Sequence, residues 1–263
     1  MTSDLSPSER AKDAAAYRAA QLVFDGMRVG LGTGSTAAHL VQRLGERVRE
    51  EGLKFTAVAT SERTAVQAAS EGIEVVSLNE AGWLDLTIDG ADEFDKDFNL
   101  IKGAGGALLR EKIVATASDQ MVVIADASKK VDTLGAFPLP VEVVPFGWQA
   151  TKALIKETLL GIDILGSDVA LRQNGDAAFF TDEGNQILDL SLRRIGKARQ
   201  LALILNQIPG VVENGLFIDI CDKVIIGFGD GRTETIDIRT GAQSSDGPLK
   251  SNPPDNLFTD IAD

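Results

Sequence analysis

Apolar residues along this chain alternate between short runs of about five and longer stretches with helical spacing, the signature of strands alternating with helices. Residues 8–25 (SERAKDAAAYRAAQLVFD) form the first helical stretch, with Ala14, Tyr17, Leu22 and Phe24 near one side. Apolar runs at 27–31, 55–59, 74–78, 84–88 and 121–125 predict strands, and a further short one is expected at 99–101. Helical stretches at 36–44, from 60 to near 72 and from 107 to about 117 lie between them. This order predicts an α/β fold, a Rossmann-like parallel sheet with helices on both faces.

The pattern changes at Phe137-Pro138-Leu139-Pro140. A strand at 141–144 and a helix at 148–160 are followed by short alternating strands. Their turns, Asn174-Gly175-Asp176 and Asp182-Glu183-Gly184-Asn185, are hairpin signals. A helix at 198–207 ends at Ile208-Pro209-Gly210. Residues 137–210 are therefore expected to form a smaller α+β second domain, a lid or oligomerisation unit. Residues 1–136 and 211–236 make the main domain, the apolar stretches within 215–228 returning to its sheet. From 237 to 263 the chain turns to Thr, Gly, Ser, Pro and Asp and predicts a mobile tail.

Composition narrows the function. The 263 residues are 44% hydrophobic, enough for a substantial core. A net charge of −13 argues against nucleic acid or anionic lipid as the main partner, yet a local cationic pocket would still admit a phosphorylated metabolite. No apolar run approaches the roughly 18 residues of a membrane span. The polar start MTSDLSPSERAKDA lacks the apolar core of a secretion signal, and Cys221 is the single cysteine, so a reducing cytoplasm is expected. With His39 as the single histidine, a Ser-His-Asp triad or a histidine-rich zinc site is disfavoured, and His39 is expected to be a packing or surface residue.

Candidate chemistry concentrates in residues 89–112, DGADEFDKDFNLIKGAGGALLREK. An apolar strand stops at Asp89-Gly90-Ala91-Asp92, and strand ends are where ligands bind in such folds. Lys102-Gly103-Ala104-Gly105-Gly106 then feeds a helix, whose free N–H groups suit an anion. Glu111 lies one turn in, between Ala107 and Ala115 and near Leu108 and Val114. There it is either a partly desolvated general base or a solvated partner of Arg110 or Lys112. Gly32-Thr33-Gly34-Ser35-Thr36-Ala37 opens another helix and can hold phosphate. A dinucleotide would need an acid at the end of the next strand, where Thr60-Ser61 stands instead. Asp126-Ala127-Ser128-Lys129 ends a third strand with a cation, while Lys12 defaults to a surface charge.

Together with Phe137-Pro138-Leu139-Pro140-Val141-Glu142-Val143 and Ile208-Pro209-Gly210-Val211-Val212, these blocks resemble the ribose-5-phosphate isomerase A family, in the family's order, from about Lys12 to about Ile236. The resemblance implies interconversion of ribose 5-phosphate and ribulose 5-phosphate through a cis-enediolate, without metal or cofactor, in a homo-oligomer, commonly a dimer. It implies that Glu111 shuttles the proton between C1 and C2 and that Lys102 with the backbone of 103–106 stabilises the enediolate. Asp89 assists ring opening and proton movement between O1 and O2, and Asp92 holds a hydroxyl. Implied substrate contacts are Thr33, Gly34, Ser35, Thr36, Asp89, Gly90, Ala91, Asp92, Lys102, Gly103, Ala104, Gly105, Lys129 and Lys12. The family's glycine run is interrupted here by Ala104, which would be strained if that position needed a positive φ. A transferase with a glutamate nucleophile and a non-catalytic sugar-phosphate sensor are the competing readings. The sensor would need a DNA-binding module, and no basic helix-turn-helix extension is seen.

Overall fold

The structure, a computed structural model, describes residues 5–248. The chain opens with α1 (Pro7–Ala20), β1 (Arg28–Leu31), α2 (Ser35–Glu51), β2 (Thr56–Ala59), α3 (Glu62–Ser70), β3 (Glu74–Val75), the single turn α4 (Leu78–Ala81) and β4 (Leu86–Gly90). Then come β5 (Glu93–Phe94), β6 (Leu100–Ile101), α5 (Leu108–Thr116) and β7 (Met121–Asp126), followed by a 3₁₀ turn at Ala127–Lys129. Next are β8 (Leu139–Val143), α6 (Trp148–Leu159), β9 (Asp168–Leu171), β10 (Gln173–Asn174), β11 (Ala177–Ala178), β12 (Gln186–Ser191) and α7 (Ala198–Leu205). The last strands are β13 (Val211–Asn214), β14 (Leu216–Phe217), β15 (Lys223–Gly227), β16 (Thr233–Asp237) and β17 (Gln243–Asp246).

Eight strands form the main sheet in the order β17-β16-β15-β7-β4-β1-β2-β3, all parallel from β15 to β3. Alternation within a strand divides its two faces. Val122 and Ile124 of β7 join Val29, Leu31 and Ile88 beneath α1 and α2, whereas Met121, Val123 and Ala125 face Phe94, Leu100 and Phe217 on the other side. α5 covers that second face through Val114 and Ala115. The chain runs outward from β1 to β2 and β3, then jumps back so that β4 flanks β1 on its other side. The carboxyl ends of β1 and β4 are thus a topological switch point, where open parallel sheets bind ligands.

Four strands, β13-β8-β12-β9, make a separate antiparallel sheet with its own core, including Leu139, Val141, Leu188, Leu190, Leu201 and Leu205. Val211–Asn214 pairs with β8, so this sheet extends beyond the boundary at 210 expected from sequence. A three-stranded sheet, β14-β6-β5, bridges the two. Among the described residues, no helix is long and apolar enough to cross a membrane.

Three local expectations fail for physical reasons. Tyr17 and Phe24 are 38% and 62% exposed, because α1 packs through its alanines (Ala14, Ala15, Ala16, Ala19, Ala20), which permit close approach to α2 and the sheet, while Phe24 lies beyond the helix end. The strand expected over 74–78 stops at Val75, because Ser77 and Glu80 form a capping box that starts α4. The predicted tail contains β17, which pairs with β16 across a turn in which Asp237 accepts from the Thr240 N–H and Gly241 takes φ +69°. Residues 249–263 of that tail lie outside the described residues.

Leu188 is fully buried on β12, between β8 and β9. Leu188→Ala is expected to lower the unfolding free energy by about 2–5 kcal/mol, measured by denaturant titration.

Candidate active site

Parallel pairing of β1 with β4 sets Leu31, the last residue of β1, beside Ile88, and β4 runs two residues further to Gly90. Gly32 then passes directly over Asp89, with a hypothetical Cβ only 1.9 Å from Oδ1. A side chain there would displace the carboxylate. The Thr33 and Gly90 N–H groups donate to Asp89 Oδ1 at 3.1 and 2.7 Å.

Lys102 enters this corner from the end of β6. Its Nζ donates to Gly90 O at 2.6 Å and lies 2.9 Å from Asp89 Oδ2 and 3.2 Å from Glu111 Oε2. All three side chains are buried. Phe217 closes the far side, its ring centre 5.4 Å from the ammonium. Burial raises the Glu111 carboxyl, Lys102 opposes this, and the charges of Asp89 and Asp92 reinforce it; the group is pushed up to about 8. Asp89 is also raised by burial, against the pull of Lys102 and its backbone donors. For Lys102, burial acts against the charge, but Asp89 and Glu111 outweigh it and hold the ammonium above the usual lysine value.

The desolvated alternative for Glu111 is therefore the observed one. Its neighbours in sequence go elsewhere: Arg110 pairs with Asp182 and Glu183, and Lys112 donates to Asn214 O, Leu216 O and Glu213. The four acids of residues 89–95 also separate. Asp89 is buried behind Lys102, and Asp92 accepts from the Ala104 N–H at 2.9 Å. Glu93 accepts from the N–H groups of Gly135 and Phe137, and Asp95 from those of Asp97 and Asn99.

A cavity of about 490 Å³ opens onto this cluster. Its wall contains every proposed site residue except Asp89: Thr33, Gly34, Ser35, Thr36, Gly90, Ala91, Asp92, Lys102, Gly103, Ala104, Gly105, Glu111, Lys129 and Lys12. The N-terminus of α2 has no side-chain cap, which leaves its first N–H groups free for an anion. Lys12 lines the same cavity, with Nζ 2.7 Å from Glu9, whose other oxygen meets His39 Nε2 at 2.8 Å. Lys129 sits in the 3₁₀ turn capped by Asp126. Positive φ falls on Gly103 and Gly106 and not on Ala104, so Ala104 is accommodated without strain.

Thr33 borders the cavity, but its hydroxyl is engaged by Thr60, Ser61 and Thr64 at 2.8–3.3 Å. Thr60-Ser61, which argued against a dinucleotide, thus also fixes the loop after β1. Ser8, Asp126, Ser128 and Phe137 complete the wall without having been singled out. Asp126, Ser128 and Phe137 lay inside quoted blocks, whereas nothing local marked Ser8.

Comparison with known proteins gives the family. The family model described as ribose 5-phosphate isomerase A (phosphoriboisomerase A) matches residues 56–231. The ribose-5-phosphate isomerase A of Ruegeria pomeroyi is 68% identical over 263 residues, 100% of both chains. That of Cereibacter sphaeroides is 65% identical over the same span. The solved ribose 5-phosphate isomerase A of Methanocaldococcus jannaschii is 39% identical with a TM-score of 0.79, covering 86% of this chain and 97% of that one. A D-ribose-5-phosphate isomerase solved in complex with phospho-erythronic acid is 37% identical with the same TM-score and coverage. The chain therefore belongs to the ribose-5-phosphate isomerase A family and is an enzyme that isomerises ribose 5-phosphate.

Proposed function

We propose that the cavity holds ribose 5-phosphate with its phosphate at the α2 N-terminus, near Lys12 and Lys129, and its C1–C2 end against Glu111 and Lys102. The reaction then runs to ribulose 5-phosphate through a cis-enediolate, a step of the non-oxidative pentose phosphate branch. The observation that carries this reading is a cavity-lining carboxylate, Glu111, pushed up to about 8 and standing 3.2 Å from a buried ammonium. A relative solved with phospho-erythronic acid supports it, since that compound has a phosphate at one end and a carboxylate at the other, as an enediolate phosphate has its charges.

Glu111 takes the proton from C2, and the electron pair moves through C1 to O1. Lys102 and the glycine-loop N–H groups face the negative charge that forms. The O2 proton passes to O1, assisted by Asp89 with the Lys102 ammonium between it and the cavity, and Asp92 holds a substrate hydroxyl. Glu111 then returns its proton to C1 as O2 becomes the ketone. Between the two acids, Glu111 suits the proton transfer from carbon: Asp89 is tied to two backbone donors and lies behind the wall, while Glu111 lines it. Lys102 supplies the cation in this scheme, so no metal is invoked.

Glu111→Gln is expected to lower turnover of ribose 5-phosphate in metal-free buffer by about 10²-fold or more while the thermal melt still reports a folded protein. Activity within about threefold of the parent would remove the base assignment.

Only the ionised Glu111 can take the C2 proton, and its carboxyl is pushed up to about 8. Activity must therefore grow as protons are removed, so kcat/KM is expected to rise with pH through this region and level off above it. The apparent midpoint belongs to the whole acid–lysine–acid cluster. A profile already flat at about pH 6, as for an ordinary carboxylate, would contradict the reading.

We also infer a cytoplasmic homo-oligomer. Light scattering is expected to give at least twice the 27.9 kDa chain mass, and a monomer mass would refute it.

A further inference from the structure

The glycine loop between β6 and α5 is gripped from behind by the antiparallel unit. Arg172, in the segment joining β9 to β10, donates through Nη1 to Gly103 O at 2.8 Å and to Ala104 O at 3.1 Å. Its remaining donors fork onto Asp189 of β12, Nε to Oδ2 at 2.9 Å and Nη2 to Oδ1 at 2.5 Å. Beside it, the Phe179 N–H donates to Arg172 O at 2.9 Å, and the Phe179 ring presses on Gly106, where a Cβ would lie 2.4 Å from the ring. The guanidinium thus joins a rigid central strand to two successive carbonyls of a loop that lines the cavity.

Peptide planarity gives those two contacts a consequence. In a trans peptide the N–H points opposite to the C=O. With the Gly103 carbonyl turned to Arg172, the Ala104 N–H faces the other way, and it meets Asp92 Oδ2 at 2.9 Å. With the Ala104 carbonyl turned the same way, the Gly105 N–H also faces the cavity side. Among the described residues, no acceptor takes it.

We propose that Arg172 is a positioning residue for the isomerisation: by fixing the two carbonyls it aims the Gly105 N–H at the oxygen that gains charge in the enediolate, and holds Asp92 through Ala104. This rests on the reading in which the C1–C2 end of the sugar faces Glu111 and Lys102. Lysine cannot replace it. One ammonium cannot hold two carbonyls and both oxygens of Asp189 in a planar fork. Without the clamp, the Gly103 carbonyl keeps its turn bond from the Gly106 N–H at 3.0 Å, but the Ala104 carbonyl loses its donor, so the peptide that carries the Gly105 N–H can rotate and that donor is lost where charge develops.

The test measures kcat, KM and inhibition by phospho-erythronic acid for the full-length Arg172→Met and Arg172→Lys proteins, each beside its thermal melt. Removing one preorganised donor typically costs about 10²–10³ in kcat, and loosening it is expected to cost about 10–10². In both variants KM should stay within about threefold, and phospho-erythronic acid should weaken in parallel with kcat. The midpoint of the pH profile should not move, because the Lys102 cluster is untouched. A kcat within about threefold of the parent, restoration by lysine, or a lower melting temperature with unchanged kcat would each overturn the proposal. If Arg172→Met does not fold, Asp189→Asn decides, by the same loss or retention of kcat in a folded protein. Glu111→Gln keeps the two readings apart. If it is inactive beside a fully active Arg172→Met, only the positioning role fails; if it is active, the base assignment fails instead.

Discussion

The site depends on one buried ammonium between two buried carboxylates. Taking ions out of water costs several kcal/mol each, and their attraction repays this only when the remaining hydrogen-bonding capacity is filled. Here backbone fills part of it: Lys102 has Gly90 O, and Asp89 Oδ1 has the N–H groups of Thr33 and Gly90, while Asp89 Oδ2 and Glu111 Oε2 have the ammonium alone. Those partners exist because β1 and β4 run parallel, side by side, with β4 reaching two residues beyond the end of β1, and because Gly32 lets the chain pass over Asp89. The sheet topology is therefore the condition for burying the charges. Two acids sharing one cation cannot both be fully compensated, so burial leaves both with raised proton affinity, and Glu111 is the one that lines the cavity.

The helix carrying that acid is a junction between separately built parts. Arg110 binds the turn before β12, Glu111 faces the cavity, and Lys112 binds the carbonyls leading from β13 to β14. Three consecutive residues point three ways because each step around a helix turns 100°. The position of Glu111 is thus fixed at both flanks by ion pairs to chain segments about 70 and 100 residues away. The antiparallel unit also grips the glycine loop through Arg172, so the main sheet and its neighbour both shape one cavity.

What was legible in the sequence was what local periodicity and chain punctuation encode. The strand stopping at Asp89, the glycine turn after Lys102 and the small apolar face around Glu111 are features within one or two turns of chain, and they gave both the parallel sheet and the acid-lysine site. Roles set by distant partners were not legible. Nothing near Glu93 indicates that it holds the backbone 42 and 44 residues on, or that the Thr33 hydroxyl belongs to a cluster with Thr60, Ser61 and Thr64. Tyr17 and Phe24 misled for a related reason. Hydrophobicity marks a face as buriable, but the close approach of α1 to the sheet favours alanine over bulk.

The acidity of the chain bears on how a phosphate reaches this cavity. A net charge of −13 repels a sugar phosphate at a distance, so the whole-protein field does not steer it inward. At physiological salt, however, exposed charges more than about 8 Å away are largely screened, and the nearest groups decide. In the proposed binding mode those groups are the uncapped N-terminus of α2, Lys129 and Lys12. Glu9 takes part in this arrangement although it is an acid. By pairing with Lys12 and with His39 of α2, it ties the lysine of one helix to the helix whose N-terminus faces the same cavity. A carboxylate that would weaken phosphate binding as an isolated charge instead keeps a flexible cation at the cavity wall and reduces the side-chain entropy lost when that cation is used.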